Sequence, residues 1–130
     1  MLRRGGCLCG NIRYSVSQDP RVHYCHCEMC RRSTGSAFAV LCWVGRSALR
    51  WEGQAPSFRR SSPLARRGFC RRCGTPLALD YDGSAEIALH GGTFDEPNSF
   101  RPAYNYGADR RLDWVCAGIG LPEHAIMERW

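Results

Sequence analysis

The sequence predicts a mainly β domain braced by metal, and three observations carry that expectation. Apolar residues recur with a period of two through much of the chain, and clusters of Gly, Pro, Ser and Asp separate the runs. The chain also holds 9 cysteines, four of them in two tight pairs. At 130 residues, the whole of 1–130 fits one ordinary domain.

The elements follow in order. Ile12, Tyr14 and Val16 alternate with polar neighbours and read as a strand. Glu28–Arg32 reads as a helix of a turn or two, an accessory to the strands. The continuous apolar run Ala37–Val44 suits one buried strand, and Leu49 and Trp51 alternate again. Pro56–Arg67, rich in Arg, Ser and Pro, reads as a surface loop. Leu77, Leu79 and Tyr81 alternate, Asp82-Gly83 signals a turn, and Ile87 and Leu89 in Ala85–His90 complete a hairpin. The segment Gly118–Trp130 fits a strand ending and a short helix equally well. Neither an internal repeat nor a low-complexity stretch interrupts this pattern.

Composition narrows the class. Hydrophobic residues make up 44% and charged residues 23%, which excludes a disordered chain. No apolar run approaches the ~20 residues that span a bilayer, and Met1–Gly6 leads directly into cysteines without a secretory pattern, so a cytoplasmic protein is expected. The formal charge is +6, and all 18 Lys/Arg positions are arginine, with doublets at 3–4, 31–32, 59–60, 66–67, 71–72 and 110–111. Such doublets reflect a biased composition or an affinity for anions. Zinc in four thiolates carries a net −2 and in three a net −1, so two such sites would lower +6 to +3. That weakens a nucleic-acid partner, and the knuckles lack the aromatic–basic interleaving that stacks bases.

An odd cysteine count in a cytoplasmic chain argues against a disulfide framework. Cys70-Arg71-Arg72-Cys73-Gly74 has the form of a zinc knuckle, with a glycine able to close the turn, and Cys7-Leu8-Cys9-Gly10 supplies a second pair. Together they make a closed, structural site; the bland alternative is four free buried cysteines. Cys25, Cys27 and Cys30 place three sulfurs within six residues. Three donors leave a fourth position for water, a substrate thiol or His26, as in catalytic zinc sites. Three thiolates already offset the charge of zinc, so sulfur chemistry is favoured over hydrolysis. The alternatives are a second structural site completed by His26 or Cys42, and an iron–sulfur cluster. Arg31 and Arg32, with Ser33 and Thr34, stand beside this trio, where they dock a substrate carboxylate or merely offset the site's charge.

The ordered segments Gly6–Gly10, Cys25-His26-Cys27-x-x-Cys30-Arg31-Arg32-Ser33, Arg67-Gly68-Phe69-Cys70-x-x-Cys73-Gly74-Thr75 and Gly92-Thr93-Phe94-Asp95-Glu96-Pro97 span nearly the whole chain. In the order and spacing of seven cysteines they resemble the glutathione-dependent formaldehyde-activating enzymes and their centromere protein V-like relatives. The resemblance implies a mainly β, Mss4-like zinc-bound fold with short accessory helices. It implies structural zinc on Cys7, Cys9, Cys70 and Cys73, and catalytic zinc on Cys25, Cys27 and Cys30. It further implies a carbon–sulfur lyase activity that joins glutathione or a related thiol to formaldehyde, giving S-hydroxymethylglutathione. On this reading Arg31, Arg32, Ser33 and Thr34 seat the thiol cofactor's carboxylates. In one departure, relatives often carry a histidine shortly after the proline of Phe100-Arg101-Pro102, where this chain has Asn105.

Other residues read as structural. His23 and His124 are expected at the surface, and His90 on an edge strand before a turn. Cys42 and Cys116 are expected to behave as small core hydrophobes, and Trp43, Trp51 and Trp114 as core residues. Two rival functions stand beside the enzyme: a zinc-ribbon-like module for nucleic acid or another acidic partner, and a zinc- or redox-responsive protein.

Overall fold

The computed structural model describes residues 2–125. Strands β1 (Arg3–Gly6), β2 (Ile12–Val16) and β5 (Leu49–Gly53) form a small sheet in the order β1-β2-β5. The larger sheet holds β3 (Arg21–Cys25), β4 (Ala39–Gly45), β6 (Ser57–Arg60), β7 (Ala65–Phe69), β8 (Pro76–Tyr81), β9 (Glu86–His90), β10 (Asn105–Tyr106) and β11 (Glu123–His124). Its order is β11-β10-β3-β4-β9-β8-β7-β6. One helix, α1 (Glu28–Thr34), and four single 3-10 turns complete the described elements. This is the mainly β architecture with short accessory helices that the sequence predicts.

The period-two pattern sorts side chains onto the two faces of the large sheet. On one face Val22, Cys42, Val44, Ile87 and Leu89 meet Ile12, Tyr14 and Val16 of the small sheet, forming the main core. On the other, Cys25, Ala39, Leu41, Leu79 and Ala88 gather with Cys27 and Cys30 in a second cluster. Strand β4 is covered on both faces, which is why its sequence is an unbroken apolar run instead of an alternation. Tyr14 anchors the sandwich: its ring stands edge-on to Trp51 and Phe94 at 5.7 and 5.4 Å, and its hydroxyl pairs with Thr93 Oγ1 at 2.8 Å. Gly5 lies opposite Tyr14 in the ladder, and a β-carbon there would strike the phenol.

Several expectations are corrected. Residues 56–67 are not a loop but most of the β6–β7 hairpin, with Arg59 opposite Arg67 and Arg60 opposite Arg66. Arginines at both phases of the strand conceal the alternation, and their partners lie far away in sequence. Arg66 covers the Phe58 ring at 4.0 Å and reaches Asp80 at 3.0 Å, while Arg67 points inward. His23 is buried on β3, and His90 is buried on β9, which is flanked by β4 and β8 and is no edge. Trp114 is 73% exposed and Cys116 is exposed, because the turns of 112–120 lie outside both sheets; of that stretch, Val115 packs inward. The described part of the Gly118–Trp130 segment ends as strand β11, parallel to β10, and the remainder lies outside the described residues.

Candidate metal centres and the cavity beside the inner one

The first cysteine group sits where two hairpin turns meet. Cys7 and Cys9 lie in the β1–β2 turn, and Cys70 and Cys73 in the β7–β8 turn, so the group fastens the small sheet to the large one. Gly10 and Gly74 follow the pairs with φ of 80° and 82°, the left-handed conformation that lets each turn close behind its sulfurs. Cys7 and Cys9 sulfurs are 3.6 Å apart, Cys9 and Cys70 3.9 Å, and all four lie within 4.8 Å of one another. Tetrahedral thiolates about 2.3 Å from zinc stand roughly 3.8 Å apart, so the donor set fits the metal. The Ile12 amide donates to Cys7 Sγ at 3.3 Å, and the Thr75 hydroxyl lies 3.2 Å from Cys73 Sγ. Cys73 is drawn down to about 5, chiefly by hydrogen bonds from Thr75.

The second group is built by the end of β3 and the start of α1. Cys27 is the N-cap, its sulfur accepting the Cys30 amide at 3.3 Å, and this fold-back brings the helical Cys30 beside the extended Cys25. Cys25 and Cys27 sulfurs are 3.4 Å apart, and all three lie within 4.8 Å of one another. The three are 2%, 4% and 1% exposed, unlike the outer group, whose Cys9 faces solvent. Cys27 is held far below the ordinary thiol range, first by the neighbouring Cys25 and Cys30 sulfurs and then by the helix-start amide and Arg67. Three convergent sulfur donors fit a soft, tetrahedral metal with one position left to a guest.

A cavity of about 710 Å³ opens onto this trio. Arg21, His23 and Cys25, alternate residues of β3, form one wall, and Leu41, Trp43, Leu79 and Tyr81 continue it across the sheet. On the other flank of β3, Tyr104, Tyr106 and His124 extend the lining along β10 and β11, and Arg21 and Glu86 also line it. Arg21 is fixed there by Glu86 at 2.7 Å, by the Tyr104 hydroxyl at 2.6 Å and by stacking 5.5 Å above Trp43. His23 is wholly committed: one ring nitrogen meets the Tyr24 carbonyl at 2.9 Å, and the other accepts the Trp43 indole N–H at 2.8 Å. Burial holds it below the ordinary imidazole range, so it orients Trp43 as a neutral ring.

The geometry brings Cys25, Cys27 and Cys30 to the cavity but not Arg31, Arg32, Ser33 or Thr34, none of which lines it. Arg32 faces Glu28 at 3.7 Å across one helical turn, Ser33 and Thr34 donate back to the Cys30 carbonyl, and Arg31 is half-buried. Arg21, Glu86 and Tyr104 are lining residues that sequence reasoning passed over, and Trp43, expected in the core, lines the cavity as well. Arg67, also passed over, lies outside the lining and donates from both terminal nitrogens to Cys30 Sγ at 3.6 and 3.7 Å. The one signal available was that Arg21, His23 and Cys25 alternate, which places them on a common face of a strand.

Comparison with known proteins then supplies the family. Residues 2–108 match the profile described as glutathione-dependent formaldehyde-activating enzyme. The chain belongs to that family. The formaldehyde-activating family match contains both cysteine groups and every strand through β10, and leaves 109–125, with β11 and His124, outside it. A protein of Schizosaccharomyces pombe named as an uncharacterized lyase is 33% identical over 78 residues, covering 59% of this chain and 56% of that one. The chain therefore matches little more than half the length of that relative. The fold is shared with the crystal structure of a Rhodobacter sphaeroides protein, a Northeast Structural Genomics target, at a TM-score of 0.58 and 20% identity over 93% of this chain and 99% of that one. Among the described residues, no helix is long and apolar enough to cross a membrane.

Proposed function

We propose that this chain is a zinc-dependent enzyme of the carbon–sulfur lyase type, joining a glutathione-like thiol to a small aldehyde such as formaldehyde. One observation carries the reading: three buried cysteine sulfurs converge on an open cavity, while a separate set of four is complete in itself. Family membership and the lyase-named relative support the same class. When bound by Cys25, Cys27 and Cys30, zinc supplies a positive centre that keeps a guest thiol in its nucleophilic thiolate form at neutral pH.

The remaining work falls to side chains of the chain. Arg21, four residues from Cys25 on one strand and so roughly 13 Å away, offers a forked contact for a carboxylate at the far end of an extended thiol. In this reading Arg21 takes the seating role expected of Arg31, Arg32, Ser33 and Thr34, because it lines the cavity and they do not. Trp43, Tyr81, Tyr104 and Tyr106 flank the substrate stem and exclude water. The addition forms one C–S bond; the carbonyl π pair moves to oxygen, which takes up the proton the thiol released, so atoms and electrons balance. The dispersal of arginines into ion pairs with Asp19, Glu52, Asp95, Glu86, Asp80 and Asp82 supports a small-molecule substrate over a nucleic-acid partner.

The test is loss of free formaldehyde, above the uncatalysed rate, by zinc-loaded protein with and without glutathione. Thiol-dependent loss that disappears in Cys27→Ser, with the far-ultraviolet spectrum retained, is expected. Equal loss without thiol, or in Cys27→Ser, would sink the reading.

A further inference from the structure

The two cysteine groups solve the problem of negative charge differently. Four thiolates around a divalent metal leave −2, but Cys9 is exposed and Cys73 half-buried, so water solvates the outer group. Three thiolates leave −1 in the inner group, where every sulfur is buried. A buried net charge without a partner is costly. The compensating group is Arg67, on β7.

Arg67 is 9% exposed and stands opposite Leu79 of β8, on the same sheet face as the trio. Its Nη1 and Nη2 both donate to Cys30 Sγ, at 3.6 and 3.7 Å. Nη1 also donates to Ser33 Oγ at 2.9 Å, and that hydroxyl in turn donates to the Cys30 carbonyl at 3.2 Å. The guanidinium is thus aimed at the sulfur by the first turns of α1. Its Nε is buried without an acceptor among the described residues. A neutral thiol and one hydroxyl are poor compensation for a buried cation, so the arrangement makes physical sense when the sulfur opposite is anionic. Among the described residues, no arginine donates to a sulfur of the outer group.

We propose that Arg67 is a positioning residue, the built-in counter-charge of the three-cysteine centre: it neutralises the loaded site through Cys30 and so lets the cavity admit an anionic guest, a thiolate. This rests on the reading that the trio holds a divalent metal. With Arg67, a fourth thiolate takes the assembly from neutral to −1; without it, from −1 to −2, in the same buried place. Arg67 reaches the trio through Cys30, while Cys25, Cys27 and Cys30 all line the cavity that a guest would enter.

The experiment uses full-length protein loaded with Co²⁺, whose sulfur charge-transfer bands report each site, and titrated with a chelator. Wild type is expected to carry two metals and release them in two steps. Arg67→Gln is expected to release one of them at a 10- to 100-fold lower chelator concentration, the scale seen when a ligand's supporting hydrogen bond is removed. It should also shift the charge-transfer band of that site alone, with the outer site unchanged as the folding control. Arg67→Lys, which keeps the charge but not the fork, should fall between. Ser33→Ala, which leaves Arg67 in place but unaimed, should move the same step in the same direction by less, and decides the matter if Arg67→Gln does not fold. Two metals with unchanged release and band in these variants would overturn the role of Arg67 alone. A single metal in wild type would overturn it together with the function beneath it.

Discussion

Asn105 Oδ1 accepts the Nε2–H of His26 at 2.9 Å, in a place where neither side chain is exposed to solvent. The Asn105 amide nitrogen faces the carbonyls of Gly118, Pro122 and Leu121 at 2.8, 3.4 and 3.5 Å, which fixes which end of the amide points at the histidine. One side chain therefore joins the loop between Cys25 and Cys27 to the segment that carries His124 over the cavity.

Asn105→Ala should remove that joint and strand several buried polar groups. A loss of about 2–3 kcal/mol is expected from denaturant midpoints. Gly118→Ala should cost a similar amount by another route: Gly118 has a φ of 80°, and a β-carbon there would collide with the Asn105 amide. If both variants unfold with wild-type midpoints, the clamp is not structural.

The two cysteine groups should part company on metal removal. Cys70→Ser is expected to lose the outer metal and, with it, the tie between the β1–β2 and β7–β8 turns, giving a much lower melting temperature. Cys27→Ser should lose one metal and keep the fold. Elemental analysis with circular dichroism checks both, and equal destabilisation of the two would contradict the division of roles.

Arg21→Met keeps much of the cover over Trp43 but removes the charge from the cavity lining. The KM for a carboxylated thiol should rise about tenfold or more, with kcat changed far less, as expected when a charged hydrogen bond to a non-reacting end is lost. A neutral thiol should show no such rise. Steady-state kinetics with the two thiols distinguishes this from a general loss of folding.

Asp80 supplies an acid-labile element. It is 5% exposed and paired with both Arg46 and Arg66. Burial would push its carboxyl up, but the two guanidiniums outweigh burial and hold it below the ordinary range. With the folded value depressed, its contribution is present in full above the unfolded value of about 3.9 and is lost as pH falls through the folded one. Asp80→Asn should cost about 1–2 kcal/mol at neutral pH, because the charged hydrogen bonds are lost but the two guanidiniums left behind are partly exposed to water. It should also flatten the fall in stability below pH ~4, as read from urea midpoints across that range.

Much of the fold was legible because it is local. The alternation in 12–16, the Asp82-Gly83 turn and the unbroken run into β4 each report a strand without reference to the rest of the chain. The same holds for the cysteines: a pair two or three residues apart, followed by Gly10 or Gly74, shapes its own turn. The β6–β7 hairpin was hidden for the opposite reason, since arginines on both faces of a strand look like solvent until Phe58, Asp80 and Cys30 are brought to them.

By itself, then, the sequence determined the two sets of sulfurs, the β architecture that carries them and, through the order of seven cysteines, the family. Tertiary structure decided which set opens onto a cavity, that Arg21 and not the helix arginines lines it, and that His23 is a committed core ring. The deciding contacts join residues far apart in the chain, 37 positions for Arg67 and Cys30 and 79 for His26 and Asn105. A guanidinium's partner and a histidine's tautomer depend on what packs against them from other strands, and no local spacing encodes that.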